Sequence, residues 1–176
     1  MDTVSFLKRL GALLGLALLQ VLFLNRINLF GYVTPLFYIW LIIRSDTSMS
    51  RSSVLLWSFF LGLAIDLSTG TPGMHAASAT LLGLIQPPLI NMFVTHDRRD
   101  VIRPGRISMG QGAFAGYIFV ATVIHHMTYF LLRSIPLEDW FVLVAKVVLS
   151  SLLTFVIMLV VDISFSKSDR SRHPVK

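Results

Sequence analysis

The chain has 176 residues and a formal net charge of +6; 55% of its residues are hydrophobic and only 14% are charged. Mean hydropathy is +0.74. A soluble domain is nearer a quarter charged, so composition excludes one. The lack of any cysteine excludes a disulfide framework, a thiol nucleophile and a cysteine-ligated metal.

In chain order, residues 10–24, 27–43, 107–132 and 147–161 contain no Asp, Glu, Lys or Arg. These runs are continuous and do not alternate with period two, which favours spanning helices over a barrel. Lys8 and Arg9 followed by "LGALLGLALLQVLFL" imitate a signal peptide, but "NRINLFGY" follows with no small-x-small cleavage site, so a retained first span is expected. Six spans are expected, near 6–24, 29–43, 52–68, 72–94, 110–132 and 138–164, forming one all-α transmembrane domain over 1–165. A basic tail fills 166–176. The second span is short and holds Pro35. The fourth contains "QPP" at 86–88, which removes two backbone donors and is expected to kink or split it.

An even number of spans puts both termini on one side. With that side cytoplasmic, Lys8, Arg9, Arg44, Arg51, Arg98, Arg99, Arg103, Arg106, Lys167, Arg170, Arg172 and Lys176 fall inside. Arg26 and Arg133 fall outside, and Lys146 lies within the sixth span. The positive-inside rule favours that orientation. The outer loops are short, and the basic segments "THDRRDVIRPGRISMG" and "SKSDRSRHPVK" suit anionic lipid headgroups better than nucleic acid.

Asp66, in "GLAIDLSTGTPGMHA", stands out. It lies in the last turn of the third span, where the helix dipole and nearby hydrocarbon both disfavour an anion. A partner is therefore required. Thr71 as N-cap, Pro72 at the first helical position and Gly73 beside it would open the fourth helix and offer free N–H groups to the carboxylate. Thr69, Thr71 and His75 add donors, and Gly70 suits the left-handed residue past a helix end. On that reading Asp66 fastens a helix–loop–helix hairpin.

Lys146 is about 10 Å into the sixth span from Asp139, and His125 and His126 lie at a similar depth in the fifth. They are candidate intramembrane polar partners, and an Asp66–Lys146 pair is one expectation. An Asp66–His75 proton relay is the catalytic alternative, but no nucleophile or second carboxylate accompanies it. Adjacent histidines on a helix point apart, which weakens metal binding. No catalytic, metal or cofactor site is expected. Gly11/Gly15 and Gly112/Gly116 form G-x-x-x-G pairs, suited to internal helix contact or to a partner's helix.

These features together resemble the MreD family of bacterial rod shape-determining membrane proteins. The resemblance rests on Gly62, Asp66, Gly70, Pro72, Gly73, His75 and Ala76, with "LQVLFLNRINLFGYVTPLFYIWLII" upstream, and covers most of residues 10–95. It implies a fold similar to the S-components of energy-coupling-factor transporters. It also implies a non-enzymatic, cofactor-free subunit of the elongation machinery in the bacterial inner membrane. Its implied partners are the single-span protein MreC and, in the wider complex, MreB, RodA and a class B penicillin-binding protein. A vitamin-transport component is the alternative implied by the fold similarity.

Overall fold

The computed structural model describes residues 3–27, 33–94, 103–134 and 139–172, with side chains described as far as Ser164. Among these residues the architecture is all-helical. Five helices are long and apolar enough to cross a membrane. They are α1 (Thr3–Leu22, prolonged by a 3-10 turn to Arg26), α3 (Arg51–Thr69), α4 (Met74–Phe93), α6 (Gln111–Arg133) and the first 25 residues of α7 (Trp140–Arg172). Two short helices complete the set: α2 (Trp40–Ile43) and α5 (Arg106–Met109).

The expected second span, 29–43, is not a continuous helix where it is described. Residues 34–36 are non-helical, and a 3-10 turn (Phe37–Ile39) then runs into α2. Pro35 supplies the reason, since it lacks a donor and pushes Thr34 out of the helical region. The segment nonetheless reads as a span because it is the centre of the bundle: Leu36, Tyr38, Ile39 and Ile43 are completely buried. Its apolarity answers to protein rather than to lipid.

Non-helical backbone in such a place must have its polar groups satisfied by neighbours. Gln20 of α1 does this twice, donating from Nε2 to the Pro35 carbonyl (2.8 Å) and accepting the Tyr38 N–H on Oε1 (3.2 Å). Two α7 hydroxyls accept the next donors: Ser150 takes the Thr34 N–H and Thr154 the Leu36 N–H, each at 3.1 Å. At the far end Tyr117 of α6 donates to the Ile43 carbonyl (3.0 Å), and Gln86 of α4 to that of Ser45 (3.2 Å). Four helices thus hold one irregular strip. It runs back along α1 from the depth of Gln20 to that of Lys8 and Arg9.

The "QPP" sequence does not split the fourth helix: α4 is continuous from Met74 to Phe93 with Pro87 and Pro88 inside it. The prolines remove the donors that would reach the Gly83 and Leu84 carbonyls, while buried Gln86 spends its side chain on the Ser45 carbonyl. Small residues set how closely α4 is approached. A Cβ on Gly62 of α3 would overlap the His75 carbonyl oxygen and lie 2.5 Å from the Ala76 Cα. One on Gly83 would lie 2.6 Å from the Ser58 hydroxyl, and one on Gly116 of α6 would lie 2.7 Å from the Phe93 ring.

The two ends of the bundle differ in charge. Lys8, Arg9, Arg44 and Arg103 surround one pocket at the end where α1 and α3 begin. There the buried Asp162 of α7 takes Arg44 and Arg106, each at 3.1 Å. At the opposite end lie Arg26, the α3–α4 hairpin and Arg133, the last bonded to Tyr129. Arg98, Arg99 and Lys176 fall outside the described residues.

Candidate functional site

The α3–α4 hairpin assembles its site locally. Helix α3 ends at Thr69, and Gly70 follows in the left-handed region (φ 66°), turning its N–H onto the Asp66 carbonyl. The Thr71 N–H reaches the same carbonyl at 3.3 Å. Gly73 (φ 81°) is also left-handed. A side chain at either glycine would be strained, which accounts for both glycines of the loop. The start of α4 differs from expectation: Gly73 is the N-cap and Met74 the first helical residue, so neither Thr71 nor Pro72 opens the helix. Glycine has no side chain with which to cap.

Asp66 supplies the missing cap from the previous helix. Its Oδ1 accepts the His75 N–H (3.0 Å) and its Oδ2 the Ala76 N–H (2.9 Å), the second and third donors of α4. Thr71 Oγ1 donates to Oδ1 (2.9 Å), and His75 Nδ1 lies 3.0 Å from the same oxygen. Since a carboxylate only accepts, Nδ1 carries the His75 proton. Asp66 and His75 are 3% and 2% exposed. The carboxylate sits at the wrong end of its own helix dipole and the right end of the next. Directly beneath, Gly62 lets the α3 backbone touch that of α4 at His75 and Ala76. Gly62, Asp66, Gly70, Thr71, Gly73 and His75 therefore form one clasp. The side-chain hydrogen bonds of Asp66 go to Thr71, His75 and Ala76, and Lys146 is half-buried on α7.

From the clasp a buried polar chain runs inward. The His75 ring lies 4.4 Å from that of Tyr129 and 5.8 Å from that of Tyr38. Tyr38 Oη and His125 Nε2 are 2.8 Å apart. His126, its ring 5.6 Å from that of His125, donates from Nδ1 to the Thr122 carbonyl (2.8 Å) and meets Thr154 Oγ1 through Nε2 (3.1 Å). Thr154 in turn holds the Leu36 N–H. The paired histidines thus connect the clasp to the pins of the irregular strip. His125 Nδ1 and Ser151 Oγ are buried with no hydrogen-bond partner among the described residues. No group of metal-ligating side chains occurs among the described residues.

The glycine pairs divide. Gly116 packs internally, whereas a Cβ on Gly11, Gly15 or Gly112 would meet nothing within 4 Å. Around Gly11 and Gly15, α1 exposes Leu7, Leu14 and Leu18. Sequence reasoning missed Gln20, Tyr38, Thr154 and Asp162. Gln20 and Asp162 carried a usable signal, being polar residues inside or bordering uncharged runs. No protein family, curated protein or solved structure matches the chain.

Proposed function

We propose that the protein is a non-enzymatic membrane scaffold of the MreD kind, holding the single membrane helix of an MreC-like partner within a complex that builds lateral peptidoglycan. MreB filaments, RodA and a class B penicillin-binding protein would be its wider associates. The observation that carries this reading is the clasp. The residues that bear the family resemblance meet in three dimensions, where Gly62, Asp66, Gly70, Gly73 and His75 each have a distinct part in joining α3 to α4. A clasped pair gives the bundle a stiff wall. Helix α1 supplies the contact face, being the least buried of the five long apolar helices, with Gly11 and Gly15 uncovered and Leu7, Leu14 and Leu18 beside them. Small-x-x-x-small faces admit a second helix closely.

On this reading the irregular strip makes a sixth crossing, so both termini are cytoplasmic and the cation-rich end faces the cytoplasm of a bacterial inner membrane. The positive-inside asymmetry supports that orientation.

A second reading, a transport subunit of the S-component type, draws on the unpartnered Nδ1 of His125 beside Tyr38 at the centre of the bundle. Purification from native membranes separates the two. The scaffold reading expects an MreC-like protein to co-purify with the wild type and to be depleted by Gly11→Leu, while Gly112→Leu reports on the second uncovered face. A vitamin-like small molecule recovered in place of that partner would reject it.

A further inference from the structure

The cation-rich end holds a pocket of about 290 Å³ lined by Lys8 and Arg9 of α1, Arg44 and Asp46 after α2, Trp57 of α3 and Arg103. A second pocket, of about 480 Å³, shares Arg9, Asp46 and Met49 with it and adds several serine hydroxyls. Two of the four cations are already matched: Arg44 pairs with Asp162, and Arg103 lies 3.9 Å from Asp46. Partial burial works against ionisation of Asp46, but the Ser48 N–H and hydroxyl, Arg103 and Arg9 hold its carboxyl below the usual range. It therefore stays charged and counts once against the cations.

Neither Lys8 nor Arg9 lies within ion-pair distance of a carboxylate among the described residues; the Arg9 guanidinium contacts the Met49 sulfur and acts on Asp46 only at longer range. Four cations against the two carboxylates Asp46 and Asp162 thus leave net positive charge facing a concave, hydroxyl-bearing space. Farther along the two helices that line it, Leu19 and Phe23 of α1 and Phe60 of α3 are exposed, apart from the Leu7, Leu14 and Leu18 face given above to the partner helix. Trp57, tilted against Phe6 at 5.5 Å, marks the boundary between polar and apolar surroundings.

We propose that this pocket binds the phosphate of an anionic phospholipid, with Lys8 and Arg9 as its principal contacts and the acyl chains lying along α1. A phosphate needs convergent donors and net positive charge, which the pocket has. The exposed apolar residues beside it distinguish a lipid from a soluble phosphate. Each cation near a membrane surface contributes about a fivefold gain in binding.

The test uses the full chain, purified in detergent and stripped of lipid, with phosphatidylglycerol as probe. Thermal melting and native mass spectrometry provide the readouts. Phosphatidylglycerol should raise the melting temperature and remain bound, and phosphatidylcholine should do neither. Lys8→Gln with Arg9→Gln should weaken phosphatidylglycerol binding roughly 25-fold. The control Arg26→Gln, at the opposite end of the bundle, should leave binding unchanged. Should the double variant fold poorly, Lys8→Gln alone, at an exposed position, should lose about fivefold. Equal phosphatidylglycerol binding by wild type and a well-folded Lys8 or double variant would overturn the site. Equal protection by glycerol 3-phosphate would overturn its assignment to a lipid.

Discussion

Replacing Asp66 with alanine should be among the most damaging single changes in the chain. The substitution leaves the His75 and Ala76 N–H groups of α4 without acceptors in a buried place, and frees Thr71 and His75 Nδ1 as well. An orphaned buried donor costs about 1–3 kcal/mol, and bonds to a charged acceptor are the stronger kind. Two orphaned backbone donors, with partial recovery by water at the hairpin, give about 3–5 kcal/mol. For a chain of this size roughly 2–4 °C accompanies each kcal/mol, so the melting temperature in detergent should fall by about 6–20 °C. Asp66→Asn keeps one acceptor oxygen but turns an NH₂ group toward a backbone N–H, so it should fall between alanine and wild type. Thermal unfolding followed by intrinsic fluorescence measures the series, with monodispersity checked by size exclusion. An Asp66→Ala protein melting within about 2 °C of wild type would refute the trans-capping account.

Gly62→Ala should destabilise by about 3 kcal/mol or more, because its Cβ would meet backbone atoms that cannot move aside. Gly11→Ala, in open space, should stay within about 0.5 kcal/mol; paired melting curves compare them. Gln20→Leu strips the irregular strip of two bonds, orphaning the Pro35 carbonyl and the Tyr38 N–H. A loss of about 2–4 kcal/mol is expected, with faster amide exchange at Tyr38. Asp162→Ala leaves Arg44 and Arg106 unpaired, yet both reach solvent, so the cost should be nearer 1–3 kcal/mol. A double-mutant cycle with Arg44→Gln should show coupling.

The helical architecture was legible because lipid imposes it: long uncharged runs can lie in a bilayer only with their backbone bonds closed internally. Asp66 was legible for a related reason, since two electrostatic penalties at one residue demand a partner nearby. Where the fourth helix starts was not, because Thr71 and Pro72 form a more familiar helix opening than Gly73. The carboxylate was expected to take the N–H groups there, and it takes those of His75 and Ala76, behind Gly73 and not behind Thr71. The strip at 34–43 was misread for a different reason. Burial in protein and burial in lipid leave the same apolar signature, and only Pro35 hinted at irregular backbone. Gln20 and Thr154 make sense only once that strip is in place. Pro87 and Pro88 erred in the opposite sense: a helix packed on several sides tolerated both.

The chain's lack of cysteine makes the most direct measurement clean. Single cysteines at exposed Leu14 or Leu18 of α1, and at buried Leu13 as control, can be cross-linked in cells that also carry a cysteine in the membrane helix of the MreC-like protein. The scaffold account predicts a heterodimer band from Leu14→Cys or Leu18→Cys, weakened by Gly11→Leu and absent from Leu13→Cys. With both proteins present in the membrane, no band from either exposed position would contradict it.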